Sequence, residues 1–178
     1  MNYLILETER LMLLPWTIED AEDMQRILND ETISEMLDTP YPYTLEMAQS
    51  FIKNIKNRSK DYFEWKIVLK DSNETIGGTA LDLGSNPINL THIYIKIDYR
   101  NKGYGTEVWK EKIKYCFENT DKDELICAFY SDNIASKIMQ EKSGMTIINK
   151  NDKNCQIITR ISRQDYIENN GDFKHSNL

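Results

Sequence analysis

The chain has 178 residues, 40% of them hydrophobic and 29% charged, with a net charge of −7. That length suits one domain burying roughly 70% of its unfolded surface, so neither disulfides nor a metal are needed to complete a core. The acidic balance argues against nucleic acid as the main partner, since neutralising phosphates takes a basic face, and no apolar run approaches the ~18 residues of a membrane span.

Residues 11–14 predict a first strand, ended by Pro15. Thr17-x-x-Asp20 reads as a capping box with Asp in place of Glu. The helix it opens runs to Leu28, with Ala21, Met24, Ile27 and Leu28 on one face. Residues 29–42 are turn-rich, with a short helix around 33–37. Thr44 reads as a second N-cap, and Leu45, Ala48, Phe51, Ile52 and Ile55 recur at helical spacing to about Arg58. Strands are expected at 64–70, 75–83 and 90–98. The second contains Gly77-Gly78, which points to a bend or a close backbone approach. A helix over 106–117 puts Val108, Trp109, Ile113, Cys116 and Phe117 inside. A strand at 125–130, a helix at 133–143 and a hairpin of 145–150 and 155–162 around the turn 151–154 complete the pattern. The class is α+β. One domain is expected over 1–167, with a frayed polar tail over 168–178.

Cys116, Cys127 and Cys155 are odd in number, widely spaced and free of any Cys-x-x-Cys pair. They read as reduced structural thiols of a cytoplasmic protein. With only His92 and His175 to add, no metal site is expected. The first residues lack a basic region followed by an apolar core, so no signal peptide is expected.

The most informative stretch is Tyr99-Arg100-Asn101-Lys102-Gly103-Tyr104-Gly105-Thr106-Glu107, between an expected strand and an expected helix. Two glycines one residue apart permit a tight turn and a close backbone approach. The following helix aims its unpaired N–H groups and positive dipole end at that turn, which makes a place for phosphates. A tight strand-to-helix turn without a ligand fits the same residues. The spacing is neither the dinucleotide fingerprint nor a Walker loop.

This stretch resembles the pyrophosphate-binding loop of the GNAT superfamily of N-acetyltransferases, Gln/Arg-x-x-Gly-x-Gly/Ala. Asn133-x-x-Ser136, followed by Lys142-Ser-Gly144-Met145, resembles the family's Asn-x-x-Ser…Lys-x-Gly-Phe helix. Glu7-Thr8-Glu9-Arg10-Leu11 with Ile18-Glu19-Asp20-Ala21 resembles the opening of the ribosomal-protein N-terminal acetyltransferase branch. The three matches stand in family order over roughly residues 6 to 150. The resemblance implies a single domain with a mixed, mostly antiparallel sheet and flanking helices. Two central parallel strands, 90–98 and 125–130, would splay to admit acetyl-coenzyme A, the cosubstrate.

Residue by residue, the resemblance implies that Arg100, Asn101, Lys102, Gly103, Tyr104, Gly105 and Thr106 hold the pyrophosphate. Surface roles for the Arg100 and Lys102 side chains remain an alternative. The backbone of Ile93 and Ile95 would meet the pantetheine amides while their side chains join the core. Asn133 would reach the pantetheine arm, although an N-cap suits it equally. The family often places a tyrosine acid where Gln140 stands, and a glutamate base on the first splayed strand, which has none here. Ser136 therefore becomes the candidate acid, against a helix serine bonding a carbonyl one turn back. His92 becomes the candidate base, against a structural histidine or a water chain to a carboxylate elsewhere. Leu14 replaces an arginine frequent in that branch. Trp16, Tyr41 and Tyr43 either line the acceptor side or pack the core.

The implied activity is acetyl transfer to an amine, on a small molecule or a protein N-terminus, by a monomer or homodimer. A coenzyme A-binding sensor without turnover is the competing reading.

Overall fold

A two-residue strand, β1 (Leu6–Glu7), pairs antiparallel with β2 (Leu11–Pro15), whose Leu11 and Leu13 alternate into the core. The computed structural model describes residues 4–55, 57–151 and 155–170. Those residues divide into two units. The first holds the chain up to Leu81 together with His92–Tyr104; the second holds Asp82–Thr91 and the chain from Gly105 onward.

In the first unit β2 pairs antiparallel with β3 (Tyr62–Leu69), from Leu11↔Leu69 to Pro15↔Trp65. A tight turn leads from β3 into β4 (Thr75–Asp82). The strand expected at 90–98 is broken. It consists of β5 (Ile88–Asn89), β6 (Ile93–Ile95) and a 3-10 turn at Ile97–Tyr99. The physical reason is a change of partner: β5 pairs with β7 (Glu124–Tyr130), whereas β6 pairs with β4.

The helices of the first unit follow their caps. Thr17 and Asp20 form the expected capping box, on a 3-10 turn at Ile18–Asp20 that feeds α1 (Ala21–Leu28). Asp30 caps α2 (Glu31–Leu37), accepting from the N–H groups of Thr32 and Ile33. Thr44 Oγ1 accepts from Met47 N–H at the start of α3 (Leu45–Ile55). Their apolar faces close one core with Trp16, Met24, Ile27, Ile33, Tyr43, Ile52 and Tyr94. Trp16 and Tyr43 are thus core residues, while Tyr41 is 55% exposed.

One ion pair is nearly buried in this unit. Lys66 Nζ meets Asp20 Oδ1, with side-chain exposures of 16% and 13%. Burial pushes the Asp20 carboxyl up, but the bonds from Lys66 and Thr17 together hold it below the ordinary value. A lowered folded-state pKa adds stability that is fully present above the unfolded value near ~3.9 and is lost as pH falls through the folded value. Asp20→Asn should therefore cost about 1 kcal/mol at pH 7, mainly through the lost charge facing Lys66, since an amide oxygen can still accept from Thr17 N–H. Its deficit against the parent should shrink as pH falls below about 4, where the parent loses the same charge. Urea unfolding at pH 7 and pH 3 checks this, and an equal deficit at both would contradict it.

In the second unit β7 pairs parallel with β5 at Ile88↔Leu125 and Asn89↔Ile126. It pairs antiparallel with β9 (Gln156–Ser162), which also carries β8 (Thr146–Asn151). Helix α4 (Tyr104–Asn119) buries Val108, Trp109, Ile113, Cys116 and Phe117, as expected; it also buries Lys112. Helix α5 (Ile134–Lys142) follows β7.

A last helix, α6 (Arg163–Asn170), replaces the first residues of the expected tail. Its polar sequence hides it, because only Tyr166 is buried. Arg163 anchors it by donating to the carbonyls of Phe117, Thr120 and Lys122. The turn at 152–154 and the tail from 171 lie outside the described residues.

Cys116 and Cys127 are buried thiols, pushed by burial up to about 12 and about 11, whereas Cys155 is exposed. Among the described residues no helix is long and apolar enough to cross a membrane. No group of three or more His, Cys, Asp or Glu is placed to hold a metal ion among them.

Candidate active site

Two left-handed residues shape the turn into α4: Asn101 at φ 61° and Gly103 at φ 85°. Asn tolerates this region through its short polar side chain, and glycine through having no Cβ. The helix begins at Tyr104, earlier than expected, so Tyr104, Gly105 and Thr106 form its first turn. Their N–H groups have no partner within the helix and point back along its axis. A Cβ built on Gly103 meets only Arg10 Nη2, at 3.4 Å. Backbone donors, the absence of a side chain at Gly103 and a cation beside it fit a pyrophosphate.

The cations around this turn have defined places. Arg100 Nε donates to Ile95 O at 2.9 Å, and its Nη2 to Thr32 Oγ1 at 3.2 Å. This side chain ties the turn to the end of β6 and the start of α2. Lys102 Nζ lies 5.1 Å from the Tyr99 ring centroid. Arg10, in the β1–β2 turn, donates from Nη1 to Lys102 O at 3.1 Å and lies 4.4 Å over the Tyr104 ring. Arg10 stands in the motif resembling the branch opening, yet nothing in its local spacing marks this contact with the turn.

Among the described residues strand β6 has a strand partner on one edge only. It pairs with β4 through Gly77↔Ile95, Gly78↔Tyr94 and Thr79↔Ile93. Lys96 N–H bonds Ile76 O, and Ala80 N–H bonds His92 O. Alternation then turns the backbone groups of Ile93 and Ile95 away from β4. Ile95 O is taken by Arg100, which leaves the other polar groups of that edge without a strand partner among the described residues. The Ile93 and Ile95 side chains do not join the core as expected. They are half-buried, and Tyr94 between them is the buried one. Its carbonyl and ring pass so close to Gly77 and Gly78 that a Cβ there would lie 2.1 and 2.3 Å from Tyr94 atoms. The glycine pair does mark a close backbone approach.

His92 and Tyr94 share a face, their rings 5.9 Å apart. His92 Nε2 lies 2.9 Å from Glu64 Oε1, and Tyr62 donates to Glu64 Oε2 at 3.0 Å. The Glu64 side chain is 1% exposed and that of His92 32%. A carboxylate only accepts, so facing one the ring donates from Nε2, and in that tautomer the lone pair sits on Nδ1. Burial first, and the Glu64 charge second, raise the hydroxyls of Tyr43 and Tyr94 above their ordinary value. The first splayed strand carries no glutamate; Glu64 comes from β3. An acid in the apolar run Tyr62–Leu69 was the available signal.

In the second unit Gly105 lies against α5, since a Cβ on it would sit 3.3 Å from Met139 Sδ. Asn133 is the N-cap of α5, its Oδ1 accepting from Ser136 N–H at 2.9 Å. Ser136 Oγ accepts from Gln140 Nε2 at 3.0 Å, one turn ahead. Gln140 is fully buried. Beyond Ile126, β7 pairs only with β9 among the described residues, so its other edge is free of strand partners through Tyr130.

A family model described as "Acetyltransferase (GNAT) domain" matches residues 10–146. The uncharacterized N-acetyltransferase YjdG of Bacillus subtilis is 30% identical over 159 residues, covering 82% of this chain and 92% of that protein. Two solved structures share the fold. The ribosomal-protein-S5-alanine acetyltransferase from Vibrio fischeri has a TM-score of 0.72 at 15% identity, over 92% of this chain and 98% of that one. AAC(6')-Ib, in complex with paromomycin and acetyl-coenzyme A, has a TM-score of 0.75 at 15% identity, over 93% and 100%.

Proposed function

This chain belongs to the family of GNAT acetyltransferases, and from that premise we propose that it moves the acetyl group of acetyl-coenzyme A directly to a primary amine. Residues 1–167 serve as one catalytic domain. The amide donors of Asn101 to Thr106 bind the pyrophosphate, with Lys102 and Arg10 beside them and Arg100 bracing the turn from below. The backbone of Ile93 and Ile95 bonds the pantetheine amides, and Asn133, besides capping α5, contacts the same arm.

The observation that favours turnover over a coenzyme A-binding sensor is the His92–Glu64 pair. Sensing needs no base, whereas a histidine held by a buried carboxylate is built to accept protons. In this reading Nδ1 of His92 takes the amine proton as the nitrogen attacks the thioester carbonyl. The C–S bond breaks with its electron pair on sulfur, and Ser136 donates its hydroxyl proton there.

The acceptor favoured by this reading is a protein α-amine or another amine of low pKa. At pH 7 the neutral form costs about 1 kcal/mol for an α-amine near 7.7–8.0, and about 4–5 for a lysine near 10.4. A lone histidine pair suits the smaller demand. The structural likeness to both a ribosomal-protein-S5-alanine acetyltransferase and a protein solved with paromomycin keeps small-molecule amines in the test panel.

Thiol release from acetyl-coenzyme A measures the outcome. A free α-amino peptide should be acetylated faster at pH 7 than its N-terminally blocked lysine counterpart. Faster acetylation of the blocked lysine peptide would overturn the acceptor reading. No thiol release with any amine, beside intact acetyl-coenzyme A binding, would favour the sensor.

A further inference from the structure

Gln140 stands where a tyrosine acid is frequent in the family, and its amide cannot supply a catalytic proton. It is nevertheless the best-anchored polar side chain near Ser136. It is fully buried in the second unit, and each of its polar atoms has a partner. One N–H goes to Ser136 Oγ at 3.0 Å and the other to Cys127 Sγ at 3.5 Å. Its Oε1 receives a short bond from the hydroxyl of Thr159, itself 1% exposed, on β9.

These contacts favour one facing of the amide. A flipped amide would place Oε1 against Ser136 and draw the serine proton inward. Two neighbours oppose the flip. Thr159 has one hydroxyl proton and two oxygens within reach, Gln140 Oε1 and, at 3.3 Å, Cys127 O; the nearer is Oε1, and giving the proton there leaves Oε1 facing Thr159. Cys127 Sγ lies 3.5 Å from Ala128 O, placed to give its S–H there and to accept from Gln140.

With the amide so held, Ser136 Oγ is an acceptor toward the core, and its own proton is left to point out of it. The backbone of Ser136 is fixed as well, by Asn133 Oδ1. A donated hydrogen bond also stabilises negative charge growing on Oγ as that proton is shared away.

We infer that Gln140, locked by Thr159, is a positioning residue that turns the Ser136 hydroxyl proton toward the departing coenzyme A sulfur. The inference rests on the reading of Ser136 as the acid. In the step it serves, the C–N bond forms, the C–S bond breaks and the sulfur takes the electron pair. The proton of Ser136 Oγ passes to sulfur, and solvent restores it.

A double-mutant cycle tests this with Ser136→Ala, Gln140→Met and the pair. Methionine keeps the volume and loses the donor. Ser136→Ala should lower kcat by roughly 10²-fold, and Gln140→Met should approach that loss. The double variant should be no worse than Ser136→Ala alone. Calorimetric affinity for coenzyme A should stay at the parent value throughout. In 15N-labelled protein the Gln140 side-chain amide protons should exchange slowly and shift in Ser136→Ala.

A parent-like kcat in Gln140→Met beside an impaired Ser136→Ala overturns this inference alone. So does full additivity of the two losses, which would mark Gln140 as merely structural. A parent-like kcat in Ser136→Ala overturns the serine reading and this inference with it. If Gln140→Met does not fold, Thr159→Val removes the lock, together with the Thr159 bond to Cys127 O. It should lower kcat several-fold with Ser136 present and not at all in the Ser136→Ala background; any other pattern overturns the inference.

Discussion

Gly103→Val should abolish measurable binding of acetyl-coenzyme A while the protein stays folded. At φ 85° the residue sits where an L side chain is strained by about 1–3 kcal/mol, and a β-branched one most of all. Bulk against the protein is not the main problem, since the added Cβ meets only the Arg10 guanidinium at ordinary contact distance. The valine methyls would instead occupy the space that phosphate oxygens must enter. Either the turn relaxes and its amides lose their aim, or it holds and is blocked. A loss of at least ~10²-fold in affinity is expected, because several charge-assisted hydrogen bonds fail together. Calorimetry on a variant with a parent-like circular dichroism spectrum measures it. Parent-like binding would remove this turn from the donor site.

The second large effect concerns the base. His92→Ala and Glu64→Gln should each lower kcat/KM by roughly 10²–10⁴-fold, the range of a general base. The two variants differ in an informative way. Alanine removes the proton acceptor, so the acid limb of the kcat/KM profile, which reports the free enzyme's essential base, should vanish. Glutamine keeps the ring but can offer it either an oxygen or an N–H. When the N–H faces the ring, the ring proton moves to Nδ1 and the acceptor is lost. Glu64→Gln should therefore keep an acid limb beneath a lowered plateau. An unmoved profile in His92→Ala would place the base elsewhere. Since Glu64 is 1% exposed, thermal unfolding of each variant must accompany the kinetics.

Local chemistry made much of this legible from sequence. Thr17, Asp20 and Thr44 announce helices because a cap acts within a few residues of itself. The glycines of the turn into α4 and the Gly77-Gly78 pair do the same for close approaches. The break between β5 and β6 was hidden because it is decided by partners far along the chain, β7 for one and β4 for the other. Helix α6 was hidden for a similar reason: Arg163 holds it through carbonyls more than forty positions away, not through an apolar stripe.

The candidate site divides the same way. The phosphate turn is contiguous and could be read directly. The Glu64 partner of His92 lies 28 positions back, and the Thr159 partner of Gln140 lies 19 ahead. Neither pairing leaves a trace in local spacing. Gln140 looked like a missing part because only its chemical incapacity shows in the sequence; its full burial does not.

The three cysteines divide into two silent thiols and one that can be addressed. Cys116 and Cys127, pushed to about 12 and about 11, carry almost no thiolate near neutral pH and are shielded as well. A thiol-reactive reagent that reports coenzyme A release will therefore see a fixed background of one protein thiol per folded chain, from Cys155. The same residue offers a single labelling point on the β8–β9 hairpin for a fluorophore or spin label. The appearance of two further reactive thiols becomes a built-in counter of unfolded molecules.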